Sequence, residues 1–282
     1  MSYLKILITG KTGQLGYDLY ELLKDKEEVV ATGREEFEIT NIDSTHKFIK
    51  EYLPDIVIHC AAYTKVDDCE KNIDLAYNAN AIGAGNIASV CSDINAKMVY
   101  ISTDYVFDGT KDKPYNEFDT PNPLNIYGKS KLAGENIVKE ILDKHYIVRT
   151  SWLYGINGNN FVKTMLRLSK YKNMLKIVND QHGIPTFTRD LAEGLYFLIK
   201  TDAYGTYHMT NSGETTWYEF AKKIFEITNV NINVEPITTE EYNALALRPK
   251  YSVLNNYVLK LRFNYELRNW EDGLKSYIEL LA

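Results

Sequence analysis

Cysteine is scarce in this sequence, and the patterns typical of disulfide or metal sites are missing. The three cysteines, Cys60, Cys69 and Cys91, are odd in number and form no Cys-x-x-Cys pair. Such a set favours neither a disulfide framework nor a zinc cluster. The five histidines show no metal-ligand spacing either. We therefore expect free thiols, structural histidines and no metal ion.

Long apolar runs, a secretory leader and an excess of basic residues are also missing. No apolar run approaches the length that spans a membrane, and the first residues lead straight into a predicted strand rather than a signal peptide. The net charge is −6, with basic residues spread along the chain, which argues against a nucleic-acid-binding face. We expect a cytoplasmic protein that binds neither a membrane nor a nucleic acid.

The composition that is present is typical of a globular protein. Apolar residues make up 45% of the 282 residues and charged residues 25%, which suits one large domain or two unequal ones. Up to residue 150, apolar runs alternate with helical patterns, and this predicts an α/β fold with a Rossmann-like doubly wound parallel sheet. The predicted strands are residues 3–9, 29–32, 38–40, 55–62, 97–102 and 145–150, and the longest predicted helix covers residues 73–94.

The pattern is less regular after the first domain, which we assign to residues 1–150. Residues 151–282 are predicted to form mostly a smaller C-terminal substrate-binding lobe, with some segments returning to the first domain. Short strands are predicted at residues 184–186 and 205–209. Helices are predicted at residues 161–171, 190–200, 217–228 and 270–281.

A glycine turn follows the first predicted strand and opens the first predicted helix. Gly10, Gly13 and Gly16 are spaced as Gly-x-x-Gly-x-x-Gly. Glycines at such a turn let the backbone approach a pyrophosphate, to which the N-terminus of the helix donates N–H groups. A purely structural turn is the alternative. The position directly after an apolar strand favours nucleotide binding.

The end of the second predicted strand bears on the choice of nicotinamide cofactor. Enzymes that use NAD usually carry an acidic residue there, which binds the ribose hydroxyls. This strand instead ends Thr32-Gly33-Arg34. Arg34 could hold a 2′-phosphate or could be a solvated loop charge. The choice between NADH and NADPH is therefore open.

Tyr127 and Lys131 lie four residues apart where a proline-rich loop enters a predicted helix. Residues at i and i+4 share one helix face, so the Lys131 ammonium is expected to favour phenolate and to lower the pKa of Tyr127 toward working pH. That pKa would suit a general acid. The spacing alone is weak, because three other pairs share it: Tyr20/Lys24, Tyr196/Lys200 and Tyr218/Lys222.

A third element is the segment Ser102-Thr103-Asp104, which follows a predicted buried strand. The hydroxyl of Thr103 could bind the substrate carbonyl oxygen that Tyr127 protonates. Capping of a turn by Ser and Thr is the alternative. Because the carboxyl ends of parallel strands meet at one edge of the sheet, Thr103 and the glycine turn are expected at the same edge.

The glycine turn, the strand-end Ser-Thr and Tyr-x-x-x-Lys, in this order, resemble the extended short-chain dehydrogenase/reductase family. Within it, the sequence is similar to members that reduce the C4 ketone of dTDP-4-dehydro-L-rhamnose. The resemblance covers nearly the whole chain. The matching segments are residues 10–16, 61–67, 102–109, 123–135, 149–154, 159–161 and 179–183, with Arg248, Pro249, Ser252 and Leu254 near the C-terminus.

The resemblance implies a role for each matching residue. Tyr127 would donate the proton, Lys131 would bind the nicotinamide ribose, and Thr103 and Asp104 would contact the sugar. Trp152 would be a further substrate contact, although a core aromatic is its plainer interpretation. The remaining cofactor residues would be Gly10, Gly13, Gln14, Leu15 and Gly16 at the pyrophosphate, Glu38 and Ile39 near the adenine, and Ala61, Ala62, Tyr63 and Thr64 along the ribose and diphosphate.

The resemblance also bears on metal binding and assembly. Some members form a dimer bridged by a metal ion that acidic residues hold. One of these positions corresponds to Arg189, and a cation there would repel the ion. We therefore expect no metal and a monomer or a homodimer.

The implied reaction is hydride transfer from NADH or NADPH to C4 of a dTDP-linked 4-keto-6-deoxyhexose, with Tyr127 as proton donor. A related alternative is a nucleotide-sugar epimerase or 4,6-dehydratase. Dehydratases typically use an Asp-Glu pair after the threonine, where this sequence has Asp104-Tyr105, and tyrosine at its ordinary pKa is a poor base. A further alternative is a non-catalytic subunit, since related proteins regulate methionine adenosyltransferase.

Overall fold

A six-stranded parallel sheet forms the centre of the computed structural model, which describes residues 3–281. The strands in chain order are β1 (Lys5–Thr9), β2 (Glu28–Thr32), β3 (Ile56–His59), β4 (Lys97–Thr103), β5 (His145–Thr150), β6 (Leu153–Tyr154), β7 (Met174–Val178), β8 (His182–Gly183), β9 (Thr186–Phe187), β10 (Gly205–His208), β11 (Thr215–Thr216) and β12 (Asn233–Ile237). The sheet has the order β2-β1-β3-β4-β5-β10. This confirms the prediction of a doubly wound parallel sheet.

Helices cover both faces of this sheet. They are α1 (Gln14–Leu23), α2 (Ile42–Tyr52), α3 (Val66–Lys71), α4 (Ile73–Tyr77), α5 (Gly83–Asp93), α6 (Ile126–Ile141), α7 (Phe161–Leu168), α8 (Thr188–Ile199), α9 (Trp217–Ile227), α10 (Thr239–Tyr242), α11 (Tyr257–Phe263) and α12 (Trp270–Glu279). One apolar cluster joins the sheet to α1 and α8, and a second joins it to α2, α5 and α6. Because both faces are covered, strands such as β3 are buried at every residue, which explains their unbroken apolar runs.

The strand order reverses beside β1, which pairs with β2 on one side and with β3 on the other. In open α/β sheets a crevice forms at the carboxyl ends of the strands where the order reverses, and ligands bind there. The register aligns Thr9 with Thr32 and His59, and Thr103 with Thr150. The residues that follow these strands therefore meet at one edge of the sheet.

Two predictions for the first domain differ from the structure. Residues 38–40 form a turn after β2 rather than a strand. The helix predicted at residues 73–94 is interrupted by a π-helical turn at Asn78–Ile82, which lies between α4 and α5. Such π turns are often found at functional sites. Here the turn carries Asn80, whose side chain reaches two segments beside the crevice.

The second part of the chain adds three two-stranded ladders, β6·β9, β7·β12 and β8·β11. Its aromatic core includes Tyr154, Phe187 and Phe220, packed with residues of α7, α9 and α12. The predicted strand at residues 184–186 is replaced by β8 and β9, with Ile184 and Pro185 between them. Strand β10 pairs with β5, and α8 packs on α1. No helix within residues 3–281 is both long and apolar enough to cross a membrane.

Candidate active site

Three neighbouring cavities lie where the carboxyl edge of the sheet meets the second part of the chain. The central cavity, of ≈ 520 Å³, is lined by Gly13, Gln14, Leu15, Gly16, Cys60, Ala62, Thr64, Val66, Ile101, Ser102, Thr103, Asp104, Tyr105, Tyr127, Lys131, Thr150, Ser151, Trp152, Leu153, Gly158, Asn159 and Trp217. The β2 cavity, of ≈ 340 Å³, is lined by Thr9, Gly10, Thr12, Gly13, Thr32, Gly33, Arg34, Phe37, Glu38, Ile39, Cys60, Ala61, Ala62 and Ala79.

The lobe cavity, of ≈ 640 Å³, is lined by Tyr105, Phe161, Thr164, Met165, Leu168, Lys172, Met174, Leu175, Lys176, Ile177, Val178, Gln181, Trp217, Tyr242 and Arg248. The central cavity shares Gly13, Cys60 and Ala62 with the β2 cavity. It shares Tyr105 and Trp217 with the lobe cavity. A long ligand could therefore extend from the central cavity in either direction.

Tyr127 reaches the central cavity from the first turn of α6. The N-cap of this helix is Asn125, whose Oδ1 accepts a hydrogen bond of 2.8 Å from the Gly128 N–H. A Cβ atom at position 128 would lie 2.1 Å from the Tyr105 carbonyl oxygen, so glycine allows α6 to press against the segment after β4. This close approach brings the Tyr127 side chain beside Thr103.

The pKa of Tyr127 differs from the expectation. Burial raises the pKa of Tyr127 well above its ordinary value, and a hydrogen bond with Thr103 offsets only part of the increase. The Lys131 ammonium lies over the Tyr100 ring, with Nζ 4.0 Å from the centroid. The prediction that Lys131 lowers the pKa of Tyr127 is therefore wrong for the protein alone, because loss of hydration dominates this pKa and the Asp104 carboxylate acts in the same direction. Tyr127 is held as the protonated phenol, which is the form that donates a proton.

Lys131 is only 2% exposed and lines the central cavity. Burial lowers its pKa to about 7, although the nearby Glu135 carboxylate acts in the opposite direction. Glu135 is itself fully buried and forms a bidentate ion pair with Arg149, whose Nε and Nη2 lie 2.9 and 2.7 Å from the two carboxylate oxygens. The Ser102 hydroxyl donates to the same carboxylate at 2.6 Å. This buried network supports α6 beneath Lys131.

Thr103 and Asp104 form one hydrogen-bonded group at the end of β4. The Thr103 hydroxyl donates to Asp104 Oδ1 at 3.0 Å and accepts from the Tyr105 N–H at 3.2 Å. The Ser252 hydroxyl donates to Asp104 Oδ2 at 2.6 Å. Burial raises the pKa of Asp104 to about 6, and the two hydroxyls lower it in part. Thr103 thus caps the short 3₁₀ turn Asp104–Val106, which is the alternative role considered from the sequence. Thr103 also lines the central cavity.

The glycine turn connects the central cavity to the β2 cavity. Gly10 has φ +79°, and a Cβ atom there would lie 2.9 Å from the Ala61 nitrogen, so both conformation and space require glycine. Gln14 lines the central cavity, but its amide bridges the two parts of the chain: Oε1 accepts from the Gly155 N–H at 2.9 Å and from Asn160 Nδ2 at 3.1 Å. A ligand at this turn would be held by backbone groups.

The β2 cavity contains the residues predicted to bind the adenosine end of a cofactor. Arg34, Glu38 and Ile39 all line it. Beside them the Lys11 ammonium pairs with the Glu36 carboxylate, which also accepts the Gly33 N–H at 2.7 Å. Arg34 and Lys11 thus bring two cations, and Glu36 and Glu38 two carboxylates, to this end of the β2 cavity or directly beside it.

Ala61, Ala62 and Thr64 line the two cavities, but Tyr63 lines neither of them. Tyr63 is held through its backbone, whose N–H donates to Asn80 Oδ1 at 2.8 Å and whose carbonyl accepts from Asn80 Nδ2 at 3.1 Å. Asn80 Nδ2 also donates to Ser130 Oγ at 3.0 Å. The π turn therefore ties the segment after β3 to α6.

Trp152 lines the central cavity with an unusual backbone conformation, φ +46°. Its ring stacks on Trp217 with centroids 3.6 Å apart and an interplanar angle of 8°. Trp217 also packs against the Phe161 ring, with the two ring centroids 4.6 Å apart. The aromatic residue that the resemblance places against the substrate thus belongs to a stacked pair.

Arg248 lines the lobe cavity from the C-terminal segment. Its Nη1 and Nη2 donate to the two carboxylate oxygens of Asp67 at 3.2 and 2.9 Å. Lys172 and Lys176 add two further cations, and the remaining lining is mostly apolar. Such a cavity suits an aromatic group that carries negative charge.

The other Tyr-x-x-x-Lys pairs line none of the three cavities. Lys200 lies over the Tyr196 ring at 3.7 Å and Lys222 over the Tyr218 ring at 5.0 Å. These are surface cation–π pairs. Only the Tyr127 pair is brought to the cavities within the described part of the chain.

Arg189 lies beside Asp18, its Nε 3.9 Å from Asp18 Oδ1. Within residues 3–281, no group of three or more His, Cys, Asp or Glu side chains could hold a metal ion. The absence of a metal and the monomeric or homodimeric state stay predictions.

Several residues of the site had no binding role predicted from the sequence: Asn80, Tyr105, Phe161, Lys172, Lys176 and Trp217. An asparagine in the middle of a helical pattern, such as Asn80, is a weak signal for a side chain that bonds to another segment. Nothing in the local sequence indicates a role in the site for Trp217, apart from its being a tryptophan at the start of a predicted helix. Ser252 and Arg248 belong to the resemblance as matches near the C-terminus, and the structure places Ser252 against Asp104 and Arg248 in the lobe cavity.

The sequence model of one family, the RmlD substrate binding domain, matches residues 4–282. The chain is 43% identical over 276 residues to the spore coat polysaccharide biosynthesis protein SpsK of Bacillus subtilis (strain 168), covering 98% of this chain and 97% of that protein. It is 40% identical over 287 residues to a dTDP-4-dehydrorhamnose reductase of Aggregatibacter actinomycetemcomitans, covering 96% and 97%. The crystal structure of dTDP-4-dehydrorhamnose reductase from Bacillus anthracis str. Ames in complex with NADP superposes with a TM-score of 0.97 at 49% identity, covering 99% of this chain and 100% of that one.

Proposed function

Because the chain belongs to the RmlD substrate binding domain family, we propose that it is an NADPH- or NADH-dependent dTDP-4-dehydrorhamnose reductase. It reduces the C4 ketone of dTDP-4-dehydro-L-rhamnose to give dTDP-L-rhamnose. The observation that supports this most directly is the meeting of Tyr127, Thr103 and Lys131 in a cavity that continues toward both β2 and the lobe. Relatives with this activity match over nearly their whole length.

The residues of the two cofactor-facing cavities fit a nicotinamide dinucleotide. The pyrophosphate would lie on the backbone of the glycine turn, where the N-terminus of α1 supplies N–H donors. The adenosine would enter the β2 cavity, where Lys11 and Arg34 could bind a 2′-phosphate and Glu36 a ribose hydroxyl. When bound, the reduced nicotinamide supplies the hydride. The relative from B. anthracis was solved with NADP.

The chain's own residues would prepare the ketone. Tyr127 holds a proton on its phenol and would donate it to the C4 oxygen as that oxygen gains charge. Thr103 would hold the same oxygen through its hydroxyl. Lys131, below its pKa of about 7, carries an ammonium that would bind the nicotinamide ribose and stabilise the phenolate left on Tyr127. Positioning of the two reactants supplies much of the acceleration, and proton donation adds about 10²- to 10⁴-fold.

The dTDP group would occupy the lobe cavity. Its apolar lining suits the thymine ring, and Lys172, Lys176 and Arg248 would bind the diphosphate. The hexose would then lie in the central cavity beside Asp104, whose carboxylate can accept a hydrogen bond from a sugar hydroxyl.

The alternatives receive less support. A dehydratase needs a base after Asp104, but burial raises the pKa of Tyr105 above its ordinary value. A regulatory subunit would not need Tyr127, Thr103 and Lys131 in one cavity. We further propose that the enzyme works in the cytoplasm, since Cys60, Cys69 and Cys91 are all unpaired, as is usual in a reducing compartment.

The test is to incubate the protein with dTDP-4-dehydro-L-rhamnose and NADPH or NADH. Loss of the reduced-nicotinamide absorbance should accompany formation of dTDP-L-rhamnose, identified by NMR. Tyr127→Phe should lower kcat by about 10²- to 10⁴-fold while its affinity for cofactor, measured by fluorescence titration, stays unchanged. The proposed activity would be refuted if the wild-type protein oxidised neither NADPH nor NADH in the presence of the ketosugar. A native rate in folded Tyr127→Phe would refute the proposed proton donor.

A further inference from the structure

We infer that Trp217 positions the hexose of the substrate. This residue of the second part of the chain holds the Trp152 indole in place, and together with Tyr105 it forms the passage between the central and lobe cavities. The inference rests on the proposed function, because it concerns how that substrate is held. Trp217 is therefore a positioning and specificity-determining residue for C4 reduction.

The first observation is the backbone conformation of Trp152. Its φ of +46° lies in the left-handed region, where bulky residues are outliers that persist only when their surroundings hold them. Strain of this kind is concentrated at functional sites. Trp152 follows β5 closely, so a change in its conformation would move its indole away from the site of reduction.

The second observation is what holds the Trp152 indole. Trp217 stacks on it at 3.6 Å with nearly parallel planes. A Cβ atom at Gly183 would lie 2.5 Å from the same indole, so this glycine backbone is also in contact with it. Thr215, two residues before Trp217, pairs with Gly183 in the β8·β11 ladder. The ladder thus fixes both contact surfaces relative to each other.

The third observation is the position of Trp217 at a boundary. Trp217 and Tyr105 are the two residues that line both the central and the lobe cavity. A substrate with its sugar beside Tyr127 and its nucleotide in the lobe cavity must pass these two side chains. Trp217 is firmly anchored at this boundary, because it begins α9 directly after the N-cap Thr216, whose hydroxyl donates to Asn179 Oδ1 at 2.7 Å.

The chemistry of the pair suits a 6-deoxyhexose. An indole face is a flat apolar surface, against which the C6 methyl group and ring C–H groups can pack without losing hydrogen bonds. The sugar would then rest on the aromatic pair while its C4 oxygen meets Thr103 and Tyr127. Holding the ring in one orientation decides which face of C4 receives the hydride.

The test compares Trp217→Ala and the conservative Trp217→Phe with Tyr218→Ala, a neighbour on α9 that lines none of the three cavities. Trp217→Ala should lower kcat/KM for the ketosugar by about 10- to 100-fold, because a small displacement of the reactant is costly, and should yield a measurable share of the C4-epimeric alcohol. Its cofactor affinity, titrated without sugar, should stay unchanged. Trp217→Phe should recover part of the loss, and Tyr218→Ala should resemble wild type.

Far-ultraviolet circular dichroism, at the strong B-band transition of indole, reports the pair itself, since stacked indoles give an exciton couplet there. The couplet should vanish in both Trp217 variants and persist in Tyr218→Ala. Gly183→Ala, which keeps Trp217 but crowds the Trp152 indole, should reproduce the kinetic defect. A folded Trp217→Phe or Trp217→Ala enzyme that has lost the couplet but keeps wild-type kcat/KM and a single product would overturn the inference. A wild-type protein that is inactive on the ketosugar would instead refute the proposed function.

Discussion

Asp104→Asn should make the protein more stable at neutral pH while weakening its activity. Asp104 is 3% exposed, and burial raises its pKa from 3.8 to about 6. Because the folded state binds this proton more tightly than the unfolded chain, the stabilisation is complete below about pH 3.8 and is lost as the pH rises through about 6. Asparagine does not titrate, so the variant avoids this loss.

The magnitude follows from the difference between the two pKa values. About two pH units at about 1.4 kcal/mol each correspond to about 3 kcal/mol above neutral pH. The hydrogen bonds can be preserved: asparagine Nδ2 can donate to Ser252 Oγ, whose proton can turn to the His182 carbonyl, 3.4 Å away. Asparagine Oδ1 can still accept from the Thr103 hydroxyl. Packing should therefore change little.

Urea denaturation followed by circular dichroism, at about pH 4 and about pH 7.5, measures the effect. The variant and the wild type should differ little at the lower pH, and the variant should gain about 2–3 kcal/mol at the higher pH. Asp143→Asn, at an exposed position after α6, is the control and should show no such pH dependence. The kcat/KM for the ketosugar should fall, because a carboxylate acceptor is lost. A variant that is destabilised equally at both pH values would refute the reasoning, since the carboxylate would then be well accommodated.

Two further predictions concern buried and exposed charges around the site. Glu36→Gln keeps an acceptor for the Gly33 N–H but frees the Lys11 ammonium, so the ratio of kcat/KM for NADPH to kcat/KM for NADH should rise roughly twofold to fivefold. Glu35→Gln breaks no hydrogen bond to Lys11 and should leave this ratio unchanged. An equal rise in both variants would contradict the role of Glu36. Glu135→Gln leaves the buried Arg149 guanidinium without its carboxylate and should lower the free energy of unfolding by about 3–5 kcal/mol, measured by urea denaturation; a loss below about 1 kcal/mol would show that Arg149 finds other partners.

The sheet and the local motifs could be predicted because they depend on residues close together in the chain. The apolar runs of β1, β3, β4 and β5 reflect burial on both faces of a parallel sheet. Glycine at position 10 reflects a backbone conformation and a close contact that other residues cannot adopt. The predicted strand at residues 38–40 failed because a short run without a partner strand carries no reliable periodicity.

Tertiary packing changed the electrostatics expected of the Tyr127 pair. From spacing alone, the Lys131 cation should lower the pKa of Tyr127. In the fold Lys131 is buried and lies over Tyr100, Tyr127 is half-buried, and loss of hydration raises the pKa of Tyr127. Burial depends on segments far away in the chain, so its contribution to a pKa cannot be read from a four-residue spacing.

The sequence by itself determined the parallel sheet, the glycine turn and the Tyr127 pair, since each depends on local periodicity or on one backbone conformation. Only the tertiary structure decided which distant side chains complete the site. Ser252 reaches Asp104 across 148 positions of the chain, and Trp217 stacks on Trp152. These contacts exist because the second part of the chain folds over the carboxyl edge of the sheet. A side chain's partners across such a distance are set by how whole elements pack, and no local pattern records them.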